Sequence, residues 1–428
     1  MSYRTGKPDR HWIQTKTETS ITGNILDNPV LERNKLVTFL CNPLNTVHLT
    51  TDFWTSTSKR VHYIVITAHF IDNNWEMHKR IINSKELDSQ RGEDIGKEVL
   101  KCIQGWGIKN FMTCMFDNAS SNDKAIEFLK NKLPNLYNEG KHFHIRCTAH
   151  IINLIVRDGM NKNDESVKCL QDAVRYIRKS TQQIALFKKC MKGVVVESTK
   201  FLCNDCPTRW NSTYELLKIT MDLEKAFYEY EMEDRSFARD MATPGSEDFV
   251  TYRAMVSFLE KFRFKTELVS TSSKPLANRF FGEVCVIYKH IRVWSKNKRF
   301  SSIGNDMIDK YEKYWGDFEI LNDYMYFATI LDLRMKTEFL RHAFETLIKY
   351  KMPENKPLSE LDITVKAMSL TRILKQDLRT FLMVTIPTLM YHMKQVVVKM
   401  PNILMMMTTL WVTNLFNRRT HRIQRKQN

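Results

Sequence analysis

Two aspartates in the first third of the sequence have the residue type and the setting of metal ligands. Asp52 follows the alternating stretch "VHLTT" (47–51), and Asp117 follows the apolar run "NFMTCMF" (110–116). Aspartate is depleted in strands and costly to bury without a partner. Mg²⁺ takes oxygen ligands of this kind, and a pair of such ions can promote phosphodiester chemistry. From the residues alone, a role as turn caps explains both aspartates equally well.

The elements predicted around these aspartates bring the two side chains together. The predicted order is strands at 47–54, 60–71 and 75–82, a helix at 92–107, a strand at 110–117, a helix at 120–133 and a strand at 141–147. The first three strands form an antiparallel meander, and the helix after them is the crossover that parallel pairing requires. If the fourth strand lies parallel to the first, Asp52 and Asp117 are neighbours at the carboxyl ends of adjacent strands, where open α/β sheets bind ligands.

From about residue 148 the pattern becomes helical. Val167, Leu170, Val174, Ile177, Thr181 and Ile184 recur at every third or fourth position, as on one face of an amphipathic helix, and Ser212-x-x-Glu215 is a capping box that predicts the start of another helix. Further helical stretches are predicted at 249–268, 280–298 and 305–350. The sequence thus predicts one sheet followed by a long helical region.

A second set of candidate metal ligands is richer in sulfur. Cys147-x-x-His150 and Cys203-x-x-Cys206 together offer the four ligands of a structural zinc site. The gap between the two halves is long, however, and buried cysteines beside a hydrogen-bonded histidine are the simpler explanation. Zinc is therefore not expected here.

The composition points to a polyanionic partner. The chain has 65 Lys and Arg against 48 Asp and Glu, a formal charge of +17 and a pI near 9.3. This balance favours nucleic acid, although a basic soluble protein or a binder of anionic membranes would share it. The N-terminus has no apolar signal region, and the apolar stretch at about 402–416 is too short to predict a membrane span. We expect a protein of the cytosol or nucleus.

Five stretches, in this order and spacing, resemble the hAT superfamily of DNA transposases, in particular plant zinc-finger-BED proteins of the RICESLEEPER type. They are "LTTDFWTS" (49–56), "HYIVITAHFIDNNWEMHKRII" (62–82), "FDNASSND" (116–123), "RCTAHIINLIV" (146–156) and "CPTRWNSTYELL" (206–217). The resemblance covers about 30–350. It implies a ribonuclease-H-like catalytic domain interrupted by a helical insertion, in agreement with the predicted strand order.

The resemblance also implies roles for individual residues. Asp52 and Asp117 match the first two members of the family's Asp-Asp-Glu metal triad, which implies Mg²⁺ as the cofactor. Trp210 matches an aromatic residue that stacks on a base exposed at the cleaved transposon end, and Arg209 beside it would contact a phosphate. The alternative for Trp210 is a core aromatic at the start of a helix. Cys147 and His150 also match the family pattern.

Two parts of the family pattern are missing from this sequence. The third acid should be a glutamate in an Ala-Ser-Glu-x-x-Phe-Ser-like context, and neither Glu247 in "GSEDF" nor Glu360 in "LSELD" has the right position or neighbours. The chain after Asp377 instead contains no acid, eight Lys and Arg, and seven Met. A frameshifted or truncated gene copy would produce such a tail. A BED finger is not expected either, since only Cys41, His11 and His48 precede residue 49.

The sequence therefore predicts an α/β fold, with a ribonuclease-H-like mixed sheet interrupted by a large all-α insertion. The expected domains are a polar lead-in (1–44), the ribonuclease-H-like core (45–158), the helical insertion (159–350) and a basic, Met-rich tail (351–428). The expected function is nuclear DNA binding without catalysis, because the third acid is missing. We expect no membrane partner, and no homodimer because the family's C-terminal dimer region is not recognised.

Three alternatives to this function stay open. The first is a residual Mg²⁺-dependent nuclease or transposase that uses Asp52 and Asp117. The second is an interaction protein that keeps the fold without binding DNA, and the third is a fragment without function.

Overall fold

The fold consists of two compact units in a computed structural model. The structure describes residues 29–56, 60–134, 136–160, 165–194, 200–205, 210–241, 243–270, 276–318, 321–352 and 358–399. The first unit runs to Ile145 and includes the chain from Met383, and the second runs from Arg146 to Leu382. We call them the sheet unit and the helical unit.

The sheet unit follows the predicted order of strands and helices. Its elements are α1 (Pro29–Cys41), β1 (Val47–Thr55), β2 (His62–Ile71), β3 (Met77–Leu87), α2 (Gly92–Gly105), β4 (Phe111–Phe116), α3 (Ser120–Lys132) and β5 (His144–Arg146). The five strands lie in the order β3-β2-β1-β4-β5. β2 is antiparallel to both β1 and β3, whereas β4 is parallel to β1. The predicted meander, crossover and parallel pair are confirmed.

The first strand is longer than its alternation suggests. Asp52 does not end β1, because Phe53, Trp54 and Thr55 continue the antiparallel ladder with β2. The prediction of Asp52 as a strand-end residue is therefore wrong. The two aromatics extend the strand because large flat side chains pair well across antiparallel strands.

One face of the sheet is apolar and covered. Val47 and Leu49 of β1 and Ile64 and Ile66 of β2 are at most 1% exposed. They share one buried cluster with the inner residues of the two helices, namely Ile95, Val99, Ile103, Ala125 and Leu129. At about 25 cal/mol per Å² of apolar surface, this burial is the main stabilising contribution to the unit.

The two helices on that face pack unusually closely. A methyl group added at Gly92 of α2 would lie 2.2 Å from the backbone oxygen of Ser121 in α3, and one at Gly96 would lie 2.7 Å from the Phe128 ring. Only a hydrogen in place of a side chain allows this approach at Gly92. The spacing Gly92-x-x-x-Gly96 therefore has a packing role, and no phosphate-binding role is needed to explain it.

The opposite face of the sheet, which we call the polar face, carries hydroxyl and imidazole groups. His48 of β1 lies opposite His69 of β2 and Thr113 of β4. Its Nδ1 lies 2.8 Å from the Thr113 hydroxyl, and the His69 Nε2 lies 2.9 Å from the hydroxyl of Thr50. Burial, and then the charge of His69, lowers the pKa of His48 to about 4, while burial and Lys79 lower that of His69 to about 4. Both rings are neutral at pH 7.

The helical unit is built entirely from helices among the residues described. They are α4 (Thr148–Met160), α5 (Glu165–Ile177), α6 (Thr181–Gly193), α7 (Trp210–Asp222), α8 (Glu224–Glu233), α9 (Arg235–Asp240), α10 (Ser246–Ser270), α11 (Ala277–Ser295), α12 (Ser301–Trp315), α13 (Asp323–Leu331), α14 (Lys336–Lys351) and most of α15 (Glu360–Lys399). With the mixed sheet, this confirms the predicted α/β class.

The core of the helical unit is rich in buried tyrosines. Three of them donate a hydrogen bond to a backbone carbonyl: Tyr252 to Ser166, Tyr311 to Val284 and Tyr326 to Phe318. Each phenol thus contributes a large apolar body without leaving its hydroxyl unsatisfied.

Within the described part of the chain, no helix combines the length and apolar character needed to cross a membrane. The apolar stretch at about 402–416 and the first 28 residues lie outside the described residues.

The close contact of α2 with α3 predicts the effect of adding one methyl group. We expect Gly92→Ala to lower the free energy of unfolding by about 1–3 kcal/mol, because the new Cβ displaces backbone. Gly105→Ala is the matched control, since a Cβ there meets nothing within 4 Å and alanine is the better helix former. Thermal and urea unfolding measure both variants. Equal stability of the two variants would contradict the packing role of Gly92.

The buried imidazoles predict a stability that falls in mild acid. Histidine in the unfolded chain has a pKa near 6.5, so between about pH 6.5 and 4 the unfolded state binds more protons, and stability decreases as the pH falls. We expect a loss of about 1–2 kcal/mol from pH 7 to pH 5 in urea unfolding. His48→Gln should lose less, because one buried base is gone. His342→Gln, at an exposed position, should behave like the unmodified chain; the same loss in both variants would exclude His48 as a source.

Candidate functional site

Asp52 lies in the middle of the sheet on its solvent-exposed side. It is the sixth residue of β1, opposite Val65 of β2, and its side chain is exposed. By strand alternation it shares the polar face with His48 and Thr50. One carboxylate oxygen, Oδ1, accepts a hydrogen bond from the N–H of Phe53 at 3.0 Å. The sheet therefore fixes the backbone of Asp52 while leaving its carboxylate in contact with solvent.

Asp117 lies at the point where β4 turns into α3. It is the residue directly after β4, and it is half-buried. Its Oδ1 accepts from the N–H of Ala119 at 2.9 Å and from the side-chain amide of Asn122 at 2.6 Å. The first bond makes Asp117 a turn cap, as the alternative explanation of this residue predicts. The residue at the N-cap of α3, Ala119, offers no side-chain cap of its own.

The parallel pair β1/β4 brings the two aspartates to adjacent strands. Thr50 pairs with Met115, and the Thr51 hydroxyl donates to the Met115 carbonyl at 3.0 Å. Asp52 and Asp117 each come two residues after that pair, on strands whose neighbours lie about 4.8 Å apart. The structure thus gives them the neighbouring positions that the strand order predicts.

The donor atoms at this position are suited to a hard cation. Neither Asp52 nor Asp117 has a hydrogen-bond partner for its Oδ2 among the described residues. The buried Oδ1 of Asn122, next to Asp117, also lacks a partner. Oxygen atoms of this kind are the ligands of Mg²⁺, so these residues fit that ion. Occupation by Mg²⁺ stays a prediction.

A third acid is not found beside this pair in the part of the chain that the structure describes. The one group of three or more possible metal ligands found there, with ligand atoms within 4.8 Å of one another, is Asp72, Glu76 and His78 in the β2–β3 turn. The two glutamates considered from the sequence form surface ion pairs in the helical unit. Glu247 pairs with Arg299 at 3.5 Å, and Glu360 pairs with Lys349 at 2.7 Å.

The group at Asp72 is explained by hydrogen bonds that stabilise the β2–β3 turn. The Asp72 Oδ1 accepts from the N–H groups of Asn74 and Glu76, and its Oδ2 lies 2.9 Å from the His78 Nε2. Burial raises the pKa of Asp72, but these hydrogen bonds outweigh burial and lower it. The turn needs this support because Trp75 takes a left-handed φ of 64°. The sequence "DNN" is typical of a turn, whereas no sequence pattern indicates that His78 contacts Asp72.

The polar face that carries Asp52 also carries Lys79 and the aromatic rings of Trp54 and Tyr63. Burial lowers the pKa of Lys79, and the negative charge of Asp52 counteracts this, so the two groups interact electrostatically. Trp54 stacks on Tyr63 with ring centroids 5.0 Å apart and an angle of 13°. Trp54 lies two residues after Asp52 on the same face and is 44% exposed. No sequence pattern indicates a functional role for these three residues, although Trp54 lies in the "DFW" stretch.

Trp210 lies in the core of the helical unit. It is the first residue of α7, only 3% exposed, and its ring meets that of Tyr214 edge to face at 6.4 Å. Stacking of Trp210 on a base stays a prediction, and it would require this ring to become exposed. Arg209 lies outside the described residues.

The start of α7 differs from the predicted one. The helix begins at Trp210, two residues before the capping box, so Ser212 lies inside the first turn. Its hydroxyl donates to Asp205 instead of capping, and Thr213 donates to the same carboxylate at 2.9 Å. Asp205 thus anchors the preceding segment to the helix.

The sulfur-containing candidates are only partly covered by the structure. Cys147 directly precedes α4 and His150 lies in its first turn, both half-buried, and Cys203 is half-buried as well. Cys206 lies outside the described residues. No group of three metal ligands among the described residues includes Cys147, His150 or Cys203.

Three family models match successive parts of the chain. The ZBED1 RNase-like domain matches residues 50–142, and the ZBED1 RNase-like helical domain matches residues 145–257. The model described as hAT-like transposase, RNase-H fold, matches residues 278–371. The first two matches meet close to Ile145, where the sheet unit passes into the helical unit.

Plant proteins are similar to more than two thirds of the chain. The zinc finger BED domain-containing protein RICESLEEPER 2 of Oryza sativa subsp. japonica is 27% identical over 310 residues, 70% of this chain and 42% of that protein. DAYSLEEPER of Arabidopsis thaliana, also a zinc finger BED domain-containing protein, is 25% identical over 306 residues, 70% of this chain and 43% of that protein. The chain thus spans about two fifths of the length of these relatives. With the three domain matches, this similarity relates the chain to the hAT-like transposases and to the zinc finger BED domain-containing proteins of plants.

Proposed function

We propose that this chain is a hAT-transposase-derived protein that binds DNA without cleaving it. The observation that carries the proposal is the incomplete acidic site of the sheet unit. Asp52 and Asp117 occupy adjacent strands as a metal-binding pair would, and among the described residues neither belongs to a group of three possible ligands with atoms within 4.8 Å of one another. The positive charge of the chain is sufficient for DNA binding, whereas cleavage of a phosphodiester would need a third metal ligand.

The support for DNA as the partner is electrostatic and aromatic. An excess of 17 positive charges favours a polyanion, and contacts to phosphates supply most of the affinity of non-specific binding. The polar face adds Lys79, which interacts electrostatically with Asp52, and the half-exposed Trp54, whose stacked indole offers a sequence-tolerant contact for a base. The expected binding is salt-sensitive and weakly specific.

Asp52 and Asp117 would be the protein ligands of Mg²⁺ in this proposal. When bound, Mg²⁺ would supply positive charge that offsets the negative charge of a phosphate. Asp117 can keep its turn cap through Oδ1 while its Oδ2 is offered to the cation. Two carboxylates hold such an ion less firmly than three, and they fix its position less well. In this proposal the pair contributes to phosphate binding and not to hydrolysis.

Two further parts of the proposal follow from DNA as the partner. A DNA-binding protein of a eukaryotic family acts in the nucleus, and we propose that location here. A sequence-specific target is not part of the proposal, because contacts to phosphates and stacking do not read sequence.

The second candidate function is Mg²⁺-dependent strand cleavage. The observation in its favour is that Asp52 and Asp117 both keep an oxygen without a hydrogen-bond partner among the described residues. Cleavage would then need a third metal ligand besides Asp52 and Asp117, and the group at Asp72, Glu76 and His78 would not supply it.

DNA binding predicts a specific effect of Lys79. We expect the chain to retard random duplex DNA at low salt, with affinity that falls steeply as salt rises. Lys79→Gln should weaken binding about 3–10-fold and reduce the salt slope by about one ion. Lys101→Gln makes the same charge change on α2, on the helix-covered side, and should have a much smaller effect. No retardation by the unmodified chain at low salt would support a protein-interaction role instead.

The incomplete acidic site predicts no cleavage. We expect supercoiled plasmid to remain intact with the purified chain in the presence of Mg²⁺ or Mn²⁺, because no third ligand completes the site. Asp52→Asn and the exposed control Asp88→Asn should give the same result. Nicking that requires metal, is lost in Asp52→Asn and persists in Asp88→Asn would establish the second candidate function.

A further inference from the structure

The helical unit contains a cavity far along the chain from Asp52 and Asp117. It lies between α11, α12 and α14 and has a volume of about 560 Å³. Two residues from each helix line most of it: Tyr288 and Arg292, Ile308 and Glu312, Tyr350 and Lys351. Cavities of roughly 300–1,000 Å³ accept small organic ligands, so this one has room for a mononucleotide.

The charges that line the cavity do not balance. Glu312 is paired with Lys351 at 2.8 Å, and the Lys351 ammonium also donates to the Gly316 carbonyl. That ammonium lies 4.7 Å from the centre of the Phe318 ring, which leaves it well satisfied. The remaining charged group of the lining is the guanidinium of Arg292. The cavity therefore carries one positive charge in excess.

Arg292 is the charged group of the cavity that has no ionic partner among the described residues. No carboxylate lies within ion-pair distance of it among the described residues, and its Nε is buried without a hydrogen-bond partner. A buried N–H without a hydrogen-bond partner is unfavourable, and more so when it belongs to a cation. An oxyanion in the cavity would satisfy it, since a guanidinium matches phosphate oxygens with two parallel hydrogen bonds.

The aromatic residues that line the cavity favour a ligand that carries a ring as well as a negative charge. The Tyr288 and Tyr350 rings lie 6.3 Å apart at 74°, and Ile308 adds an aliphatic surface. Tyr288 is buried in the core and fixed, whereas Tyr350 is half-buried at the cavity. A planar heterocycle can pack against such a wall while its phosphate reaches the guanidinium.

We propose that this cavity binds a nucleotide, with its phosphate on Arg292 and its base against Tyr350. The ligand is a phosphate ester that carries a purine or pyrimidine, and it has two possible sources. One is a free mononucleotide, and the other is the phosphorylated end of a DNA strand. The site is separate from the acidic pair of the sheet unit, and it stands whether or not that unit binds DNA.

Calorimetric titration of the full chain with deoxyadenosine monophosphate tests the site. Binding with a dissociation constant of about 10–500 µM is expected, as is typical of a small ligand held by one ionic contact. Arg292→Gln should weaken it at least about tenfold, the loss of one charged hydrogen-bonding group. Lys289→Gln is the matched control, since it removes one positive charge from an exposed position of the same helix. Circular dichroism verifies that both variants fold.

Four companion titrations identify the ligand. Inorganic phosphate and deoxyadenosine should each bind at least about tenfold more weakly than the mononucleotide, because each lacks half of the contacts. A short single strand with a 5′-phosphate that binds more tightly than the mononucleotide, and more tightly than its 5′-hydroxyl form, assigns the strand end as the source. The reverse order assigns the free nucleotide.

Several results would overturn the proposal. One is no heat of binding for either phosphate ester up to about 5 mM with a folded chain. Another is an equal loss of affinity in Arg292→Gln and Lys289→Gln. Phosphate that binds as tightly as the mononucleotide would also exclude the nucleotide assignment.

Discussion

The parallel pairing of β1 with β4 is the constraint on which the candidate site depends. Parallel strands need a crossover, and α2 provides it on the apolar face of the sheet, where Gly92 lets α3 pack closely against it. The polar face is left without these helices and carries Asp52. Because the side chains of a strand alternate, a change of register by one residue would place Asp52 against the core and His48 with it. The position of the acid is thus a consequence of how the opposite face is packed.

Asp117 shows that a turn cap and a metal ligand are compatible roles. One carboxylate oxygen holds the turn into α3 through Ala119 and Asn122, and the other is left without a hydrogen bond among the described residues. This cap fixes the rotamer of the side chain before any cation arrives, so less entropy is lost on binding. The two explanations that the sequence left open for this residue do not exclude each other.

Sequence patterns predicted the strand order, the crossover and both helices of the sheet unit, because alternation and 3.6-residue periodicity report which face is buried. They failed where a tertiary contact decides the outcome. The stacking of Trp54 on Tyr63 and the contact of His48 with a threonine of another strand both depend on strand register. The sequence predicts Ser212 as a helix cap, but its hydroxyl donates a hydrogen bond to Asp205 instead. The orphan Nε of Arg292 could not be predicted, since it depends on which carboxylates lie nearby in space.

The acidic pair alone is weak evidence for catalysis, and its electrostatics explain why. Two carboxylates about 4 Å apart repel by about 1 kcal/mol in water and by about 4 kcal/mol at an effective dielectric constant of 20. The exposure of Asp52 to solvent weakens such repulsion, and two hydrogen bonds stabilise the Asp117 carboxylate. The fold can therefore keep both acids without a cation. A third acid in the same place would raise the repulsion and would require a metal ion to offset it, so the third ligand, and not the pair, separates a catalytic site from a phosphate-binding one.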